Sequence, residues 1–279
     1  MTEERASRAG RNLPAAIASG VALGAVVLVS LFTVKWLFGV VVVVALLIAG
    51  REFIAAFQGR NIRVARTPVY LSIVTFPAIS YVWGPTAIVI ALGIAIIAVL
   101  IWRIRRGTDG YVRDVTASVF LIAYLPFMAG FLMATLAADD GAQRVVVFVL
   151  LTISNDIGGY AAGVLFGKHP MAPMISPKKS WEGFAGSLIV QGAVGAGSFV
   201  WLLDAPWWQG VIAGILLAIT ATAGDFAESA MKRDLGIKDM GSFLPGHGGM
   251  MDRLDSLVPN AFASWVIFTA FLGSGIAGA

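Results

Sequence analysis

Apolar runs of about 18 or more residues recur along this 279-residue chain, and they constrain its fold more than any other feature. A helix of that length crosses the hydrocarbon core of a bilayer. Only 13% of the residues are charged, against roughly one-quarter in a soluble domain of this size. The sequence therefore predicts an all-α protein, a polytopic membrane helical bundle.

Nine transmembrane helices fit this pattern, and the first apolar run is too long for a cleavable signal peptide. The predicted spans are residues 14–32, 36–56, 67–83, 85–102, 115–137, 145–166, 183–203, 208–231 and 257–276. Spans 1–5 make up an N-terminal part, residues 1–137, and spans 6–9 make up a C-terminal part, residues 138–279. No linker separates the two parts, so we expect one membrane domain.

The basic residues predict how the bundle is oriented. Of the 20 Lys and Arg residues, all but Lys35 and Arg144 fall on one side of this topology. By the positive-inside rule, that side is cytoplasmic, with the N-terminus and the two longest polar segments, 167–182 and 232–256. The basic charge thus needs no nucleic-acid partner to explain it. The chain has no cysteine, which excludes disulfides and thiolate metal ligands.

The stretch Ser229–Asp255 is the most polar part of the chain, with eight charged residues and one histidine in 27 positions. Asp252 and Asp255 are three residues apart, so at the start of a helix both carboxylates point to one side. With Asp239 they offer the hard oxygen ligands that Mg²⁺ takes, and substrate phosphates complete its shell. Capping of the last span through the helix dipole would explain one of these aspartates but not the whole cluster.

Other residues of this stretch suit phosphate binding. Gly248 and Gly249 let backbone N–H groups approach a phosphate closely. We interpret the adjacent His247 as positioning a loop or a phosphate rather than as a metal ligand. At the end of span 8, one helical stripe carries Asp225, Glu228, Ser229 and Lys232. An ion pair of Glu228 with Lys232 on a solvated helix end is the alternative for this stripe.

Two further segments on the same side carry polar residues. Ser176, Lys178 and Lys179 precede span 7, and the adjacent lysines can bind an anionic headgroup or a triphosphate. Simple attraction of these lysines to anionic lipid is the alternative. In span 6, Asp156 and Tyr160 lie one turn apart beside a ridge of small residues. A buried aspartate there needs a cation or hydrogen-bond donors.

These residues resemble the signature of the phosphatidate cytidylyltransferases, also called CDP-diacylglycerol synthases. The matching pattern is Ser229-x-Met231-Lys232-Arg233, four residues, Lys238-Asp239-x-Gly241-x-x-Leu244-Pro245-x-His247-Gly248-Gly249-Met250-x-Asp252-Arg253-Leu254-Asp255. Two upstream pieces agree as well, Asp156-x-x-Gly159-Tyr160-x-x-Gly163 and Ser176-Pro177-Lys178-Lys179-Ser180-Trp181-Glu182-Gly183. The resemblance covers residues 145–279, while the N-terminal spans agree only in hydropathy.

The resemblance implies that CTP and phosphatidate react to give CDP-diacylglycerol and pyrophosphate, a step of phospholipid biosynthesis. It implies Mg²⁺ held by Asp239, Asp252 and Asp255, with a second cation such as K⁺ allowed for. The residues assigned to catalysis are Lys232, Arg233, Lys238, Asp239, His247, Asp252, Arg253 and Asp255. The residues assigned to substrate binding are Asp156, Tyr160, Ser176, Lys178, Lys179, Asp225, Glu228, Ser229, Gly248 and Gly249. The expected location is the bacterial plasma membrane, with the active site facing the cytoplasm, and a homodimer is left open.

Two alternatives remain from the residues themselves. One is a CTP-using enzyme that acts on a different lipid, such as a polyprenol kinase or an ether-lipid cytidylyltransferase. The other is a transporter, which the intramembrane acids Asp156 and Asp225 alone would suggest. A transporter spreads polar residues across the bilayer and interrupts helices in two matching halves. Spans 1–5 hold almost no such residues, so transport is disfavoured.

Overall fold

The computed structural model describes residue 25, residues 28–243 and residues 248–275. After helical residues 28–33, the elements are α1 (Lys35–Gly59), α2 (Arg66–Ile104), α3 (Tyr111–Ile122), a π-helical turn (Ala123–Phe127), α4 (Met128–Ala137), α5 (Gly141–Phe166), β1 (Pro170–Ala172), β2 (Ser176–Ser180), α6 (Trp181–Leu202), α7 (Trp207–Leu235), α8 (Met251–Leu254) and α9 (Leu257–Leu272). Within the described residues, seven helical segments are long and apolar enough to cross a membrane. The predicted all-α, polytopic membrane architecture is confirmed.

Helix α2 is a hairpin of two spans rather than one straight rod. Gly84 has φ 77° and ψ −172°, outside the helical region, and Pro85 begins the second arm. The Asp114 carboxylate accepts hydrogen bonds from the Arg63 backbone N–H and from the Arg103 side chain, so both ends of α2 lie together. A straight 39-residue helix would hold its ends roughly 58 Å apart. The predicted spans 67–83 and 85–102 are both present, joined at Gly84.

Most of the observed helices extend beyond the predicted spans into polar residues, whereas α9 ends at Leu272 instead of residue 276. Helix α7 continues to Leu235 instead of ending at residue 231, and Gly236, with φ 69°, terminates it in the left-handed conformation. A polar helix end keeps its backbone hydrogen-bonded outside the apolar stretch, so hydropathy alone places the boundary too early. Most of the first predicted span, 14–32, lies outside the described residues, and the count of nine stays a prediction.

The polar segment 167–182 contains a short β-hairpin that the sequence analysis did not predict. Strands β1 and β2 pair antiparallel. Glu182, in the first turn of α6, accepts hydrogen bonds from the backbone N–H groups of Lys168 and His169 at 3.1 and 3.2 Å. This contact ties the start of the hairpin to α6. The strands therefore hold Lys178 and Lys179 in a defined place instead of leaving them on a loose loop.

Glycines allow α5, α6 and α7 to approach each other at backbone distance. A Cβ at Gly158 of α5 would lie 2.7 Å from the Gly186 carbonyl oxygen of α6. Helices α6 and α7 meet in the same way at Gly195 and Gly210, where a Cβ on either would collide with the backbone of the other. Small residues at such crossings are typical of membrane helix packing. The polar ends of the three helices consequently converge.

The apolar core joins the two parts of the chain. One cluster of buried residues packs Phe53 and Ile73 against Met251 and Val258. A second cluster packs Leu136 with residues of α5, α6, α7 and α9. Both clusters draw side chains from each side of residue 138, so the N-terminal and C-terminal parts share their cores.

Basic residues of the described ranges lie at two opposite ends of the bundle, as the sequence predicts. At one end, the Arg60 side chain donates to the carbonyl oxygen of Leu235, and the polar segments around residues 167–182 and 232–256 lie nearby. At the other end, Lys35 Nζ donates to the Ala138 carbonyl at 2.9 Å, and Arg144 donates to the Gly273 carbonyl at 2.9 Å. Lys35 and Arg144 therefore lie together, away from the polar segments.

This partition predicts which residues are reachable from each face of the membrane. The chain has no cysteine, so single cysteines at Ser176, Ser242 and Ala205 each report on one position. We expect Ser176→Cys and Ser242→Cys to react with a membrane-impermeant maleimide only from the cytoplasmic face, and Ala205→Cys only from the opposite face. Labelling of intact cells and of inside-out vesicles measures this. Opposite accessibility of residues 176 and 242 would contradict a site shared by the two polar segments.

Candidate active site

Two adjoining cavities lie at the charged end of the bundle. The larger, about 370 Å³, is enclosed by α5, α6, α7 and the β-hairpin. The smaller, about 240 Å³, lies between α5, α7 and the segment around α8. Asn155, Asp156 and Asp225 line both cavities, so the two spaces meet at these side chains.

The larger cavity is lined by lysines and hydroxyl groups. Six residues predicted to bind substrate line it: Asp156, Tyr160, Ser176, Lys178, Lys179 and Asp225. Lys179 Nζ lies 2.5 Å from Asp225 Oδ2 and 4.8 Å from the centre of the Phe226 ring, so it reaches across to α7. Cations beside hydroxyl donors make charge-assisted hydrogen bonds to phosphate oxygens. This wall suits a polyphosphate or a phosphate monoester.

The smaller cavity collects acids from three separate parts of the chain. Asp156 comes from α5, Asp225 from α7, and Asp255 from the residue after α8. Asn155 Oδ1 is buried beside them without a hydrogen-bond partner among the described residues. Carboxylates that share a site repel each other, so the set requires a cation or hydrogen-bond donors. These hard oxygens are the donor type that Mg²⁺ takes, although no three Asp, Glu or His side chains among the described residues are arranged to hold one ion.

The backbone of the loop that precedes Asp252 donates hydrogen bonds to its carboxylate. Its Oδ2 atom accepts hydrogen bonds from the Gly249 N–H at 2.7 Å and from the Met240 N–H at 3.1 Å. Its Oδ1 atom lies 2.8 Å from Lys232 Nζ, which also lies 2.6 Å from Glu228 Oε2. Asp252 therefore ties the loop to α7, while it also lines the smaller cavity.

The predicted stripe on α7 is present, but it is not a solvated helix end. Glu228 is fully buried, and the Ser229 hydroxyl donates to Asp225 Oδ1 at 3.4 Å. The stripe faces the segment around α8, because a Cβ at Gly224 would lie 2.6 Å from the Asp255 carbonyl oxygen. The pair of Glu228 with Lys232 exists, yet the alternative of a solvated pair is wrong because this packing excludes solvent from Glu228.

The three predicted metal ligands divide between two places. Asp252 and Asp239 both approach Gly248, whose φ is 83°. A Cβ at this glycine would lie 3.0 Å from Asp252 Oδ2 and 3.7 Å from Asp239 Oδ1. Asp239 is exposed and lies outside both cavities, whereas Asp252 and Asp255 both line the smaller one. Over residues 28–243 and 248–275, no group of three or more Asp, Glu or His side chains is arranged to hold a metal ion. The set Asp239, Asp252 and Asp255 stays a prediction.

The other predicted catalytic residues surround the same loop. Arg253 is exposed and lines the smaller cavity. Arg233 and Lys238 are exposed and line neither cavity. His247 lies outside the described residues. The roles of these residues stay predictions.

Two side chains at the site were not assigned to it from the sequence. Asn155 lines both cavities, next to the predicted Asp156. Glu52 of α1 is only 8% exposed, and it accepts hydrogen bonds from the backbone N–H groups of Met250 and Met251. The sequence did contain an indication that Glu52 is buried against a partner, because an acidic residue within an apolar run is costly without one. Its partner lies 198 residues away, where no spacing rule reaches.

Comparison with known proteins shows which family this chain resembles along its length. The chain is 38% identical to the phosphatidate cytidylyltransferase of Mycobacterium bovis, over 94% of this chain and 90% of that protein. It is 37% identical to the protein of the same name from Mycobacterium leprae, over 94% and 89%. Its identity to the phosphatidate cytidylyltransferase of Staphylococcus saprophyticus is 36%, over 52% and 55%. The model of the Cytidylyltransferase family matches residues 14–271, and the chain therefore belongs to that family.

Proposed function

We propose that this chain transfers the cytidylyl group of CTP to phosphatidate, which forms CDP-diacylglycerol and pyrophosphate. The observation that carries the proposal is the meeting of a lysine-lined cavity with an acid-lined cavity at Asp156 and Asp225. Relatives named phosphatidate cytidylyltransferase support this choice of substrates. Two polyanions that bind side by side need lysines to contact their phosphates and carboxylates to hold a cation between them.

The acceptor needs no strong general base. The phosphate monoester of phosphatidate is already anionic near neutral pH, so one of its oxygens attacks the α-phosphorus of CTP directly. A new P–O bond forms there, and the bond from the α-phosphorus to the pyrophosphate oxygen breaks. The barrier therefore comes mainly from bringing the anions together and from charge on the leaving group. Positioned cations lower that barrier by electrostatic stabilisation.

Lys179 is placed to act at the boundary of the two cavities. Its ammonium group pairs with Asp225 while its side chain lines the larger cavity. Lys178, exposed on the same strand, adds a second positive charge at the open side. We assign these lysines to the phosphates of CTP or of the lipid, and Ser176 and Tyr160 to hydrogen bonds at the same wall.

Mg²⁺ is the proposed cofactor, and when bound it supplies a Lewis acid at the transferred phosphoryl group. The residues that would hold it are Asp156, Asp225 and Asp255, with Asn155 Oδ1, because their oxygens line one cavity. Asp252 lines the same cavity but is already held by Lys232 and two N–H groups. We also propose that a second cation such as K⁺ can bind together with Mg²⁺.

The proposed site faces the cytoplasm from a bacterial plasma membrane. Support comes from the basic residues at this end of the bundle and from the positive-inside rule. CTP would then enter from the aqueous side, and phosphatidate would enter sideways from the inner leaflet. A homodimer remains an expectation from the family resemblance.

The metal assignment predicts the effect of single carboxylate changes. We expect Asp225→Asn and Asp255→Asn each to lower kcat about 10²-fold or more, because the Lewis acid contributes several kcal/mol. Both should also raise the Mg²⁺ concentration needed for half-maximal rate. The comparison is Asp239→Asn, which should shift this concentration less, since Asp239 lies outside the cavity. Purified protein is assayed across a Mg²⁺ titration at saturating CTP and phosphatidate.

An equal shift in Asp239→Asn would favour the set of Asp239, Asp252 and Asp255 over the cavity set. Near-normal turnover of Asp255→Asn at ordinary Mg²⁺ would count against both sets, because Asp255 belongs to each.

The position of ³²P in CTP distinguishes cytidylyl transfer from lipid phosphorylation. A cytidylyltransferase joins the acceptor to the α-phosphate of CTP, whereas a CTP-dependent lipid kinase transfers the γ-phosphate and releases CDP. We expect α-³²P from CTP to appear in the lipid product when phosphatidate is supplied, and γ-³²P to appear only in pyrophosphate. Thin-layer chromatography of the lipid extract measures both labels. Label from the γ-position in lipid would refute the proposal and promote a kinase acting on another lipid.

A further inference from the structure

The loop 236–250, which links α7 to α8, is held at its first end by Arg60, the residue that follows α1. Arg60 Nε and Nη2 donate to the carbonyl oxygens of Leu235 and Asp234 at 2.9 and 3.0 Å. These carbonyls belong to the last turn of α7, where they lack helical partners and attract positive charge. Gly236 follows with φ 69°, and a Cβ there would lie 2.5 Å from the Arg60 guanidinium.

The other end of the loop is held by Glu52, which lies within α1. Its two carboxylate oxygens accept separate hydrogen bonds, from the Met250 N–H at 3.0 Å and from the Met251 N–H at 2.9 Å. Glu52 is 8% exposed, and no ion pair involves it within the described residues. A buried carboxylate is tolerated only when such donors satisfy it.

Two glycines of the loop pack directly against Glu52. A Cβ at Gly241 would collide with the carboxyl group of Glu52, and a Cβ at Gly249 would lie 2.6 Å from its Oε2 atom and 2.7 Å from the Gly241 backbone nitrogen. Neither glycine has a positive φ, so the backbone conformation alone does not demand glycine at these positions. Both belong to the signature pattern, and their missing side chains make room for a residue outside it.

We propose that Glu52 and Arg60 are positioning residues for the transfer reaction, which set the loop 236–250 by holding both of its ends. Glu52 lies within α1, and Arg60 directly follows its last residue, eight positions after Glu52. The stretch between them is about 12 Å long and acts as a rigid spacer between the two ends. Gly249, packed against Glu52, donates to Asp252, and Met251 directly precedes Asp252. A shift of the Glu52 contacts therefore moves Asp252 and the helix that carries Asp255.

Neither residue lines the two cavities of the candidate site, so we assign their effect to the position of the loop. Glu52 lines a separate cavity of about 260 Å³ with Arg51, Met240 and Ser242. The inference rests on the proposed function, since it assumes that Asp252 and Asp255 serve the reaction. It also assigns a task to the N-terminal spans, which carry none of the signature.

The first test is kinetic. Glu52→Gln keeps the side-chain volume but turns one acceptor oxygen into an NH₂ donor that faces a backbone N–H. We expect kcat to fall about 10- to 100-fold, as for a misplaced catalytic group, while KM for CTP and phosphatidate stays near that of the unmodified protein. Arg60→Gln should act in the same direction. Glu52→Asp, which retains both acceptors, should recover part of the rate.

Matched controls use exposed residues at the same end of the bundle. Asp109→Asn repeats the carboxylate-to-amide change, and Arg66→Gln repeats the loss of a guanidinium, at side chains that are exposed and outside both cavities. Both controls should keep kcat and KM. If Glu52→Gln fails to accumulate in membranes, Glu52→Asp and Arg60→Gln decide the outcome.

The second test measures the loop without any reaction. Ser242 is exposed within the loop, so Ser242→Cys provides a single labelling site in a chain without cysteine. We expect maleimide to label this cysteine faster in the Glu52→Gln and Arg60→Gln backgrounds than in the parent or the controls. A fall in kcat with an unchanged labelling rate would overturn the proposal, as would normal kcat in both variants. If the unmodified protein transfers no cytidylyl group, the proposed function is wrong. The labelling rates then still test whether Glu52 and Arg60 hold the loop.

Discussion

Lys232 joins two carboxylates from different parts of the chain, and the charged end of the bundle depends on this bridge. Its ammonium group lies 2.6 Å from Glu228 and 2.8 Å from Asp252, and Glu228 is fully buried. Removing one member of such a buried group costs about 3–5 kcal/mol, because a charge is left without a partner. The bridge holds the start of α8 against α7, which brings Asp255 to the cavity that Asp156 also lines.

At the same end of the bundle, the lysines line the larger cavity and most of the acids line the smaller one; we call these the lysine wall and the acid wall. Close glycine contacts bring α5, α6 and α7 together, and the short hairpin before α6 carries the lysines over them. Lys179 and Asp225 form the contact between the lysine wall and the acid wall. A reaction between two polyanions needs both walls, since positioning and electrostatic stabilisation supply most of the rate in phosphoryl transfer.

Much of the fold follows from local features of the sequence. Hydropathy predicts membrane helices, and the Gly84-Pro85 pair marks the break between two of them. The distribution of Lys and Arg predicts which ends lie together, and Lys35 and Arg144 do lie away from the two polar segments. Each of these inferences uses only residue type and order. The β-hairpin was not predicted, because its strands have three and five residues and little apolar alternation.

The sequence by itself determined the membrane bundle, the polar end and the family resemblance, because hydropathy, charge and a long signature are properties of residue order. Only the tertiary structure decided which acids share a cavity, and it brought Asp156 and Asp225 to Asp255 while leaving Asp239 outside. It alone paired Glu52 with amide groups 198 residues away. The physical reason is that distances between helices are set by packing and buried polar contacts, which residue spacing along one helix does not encode.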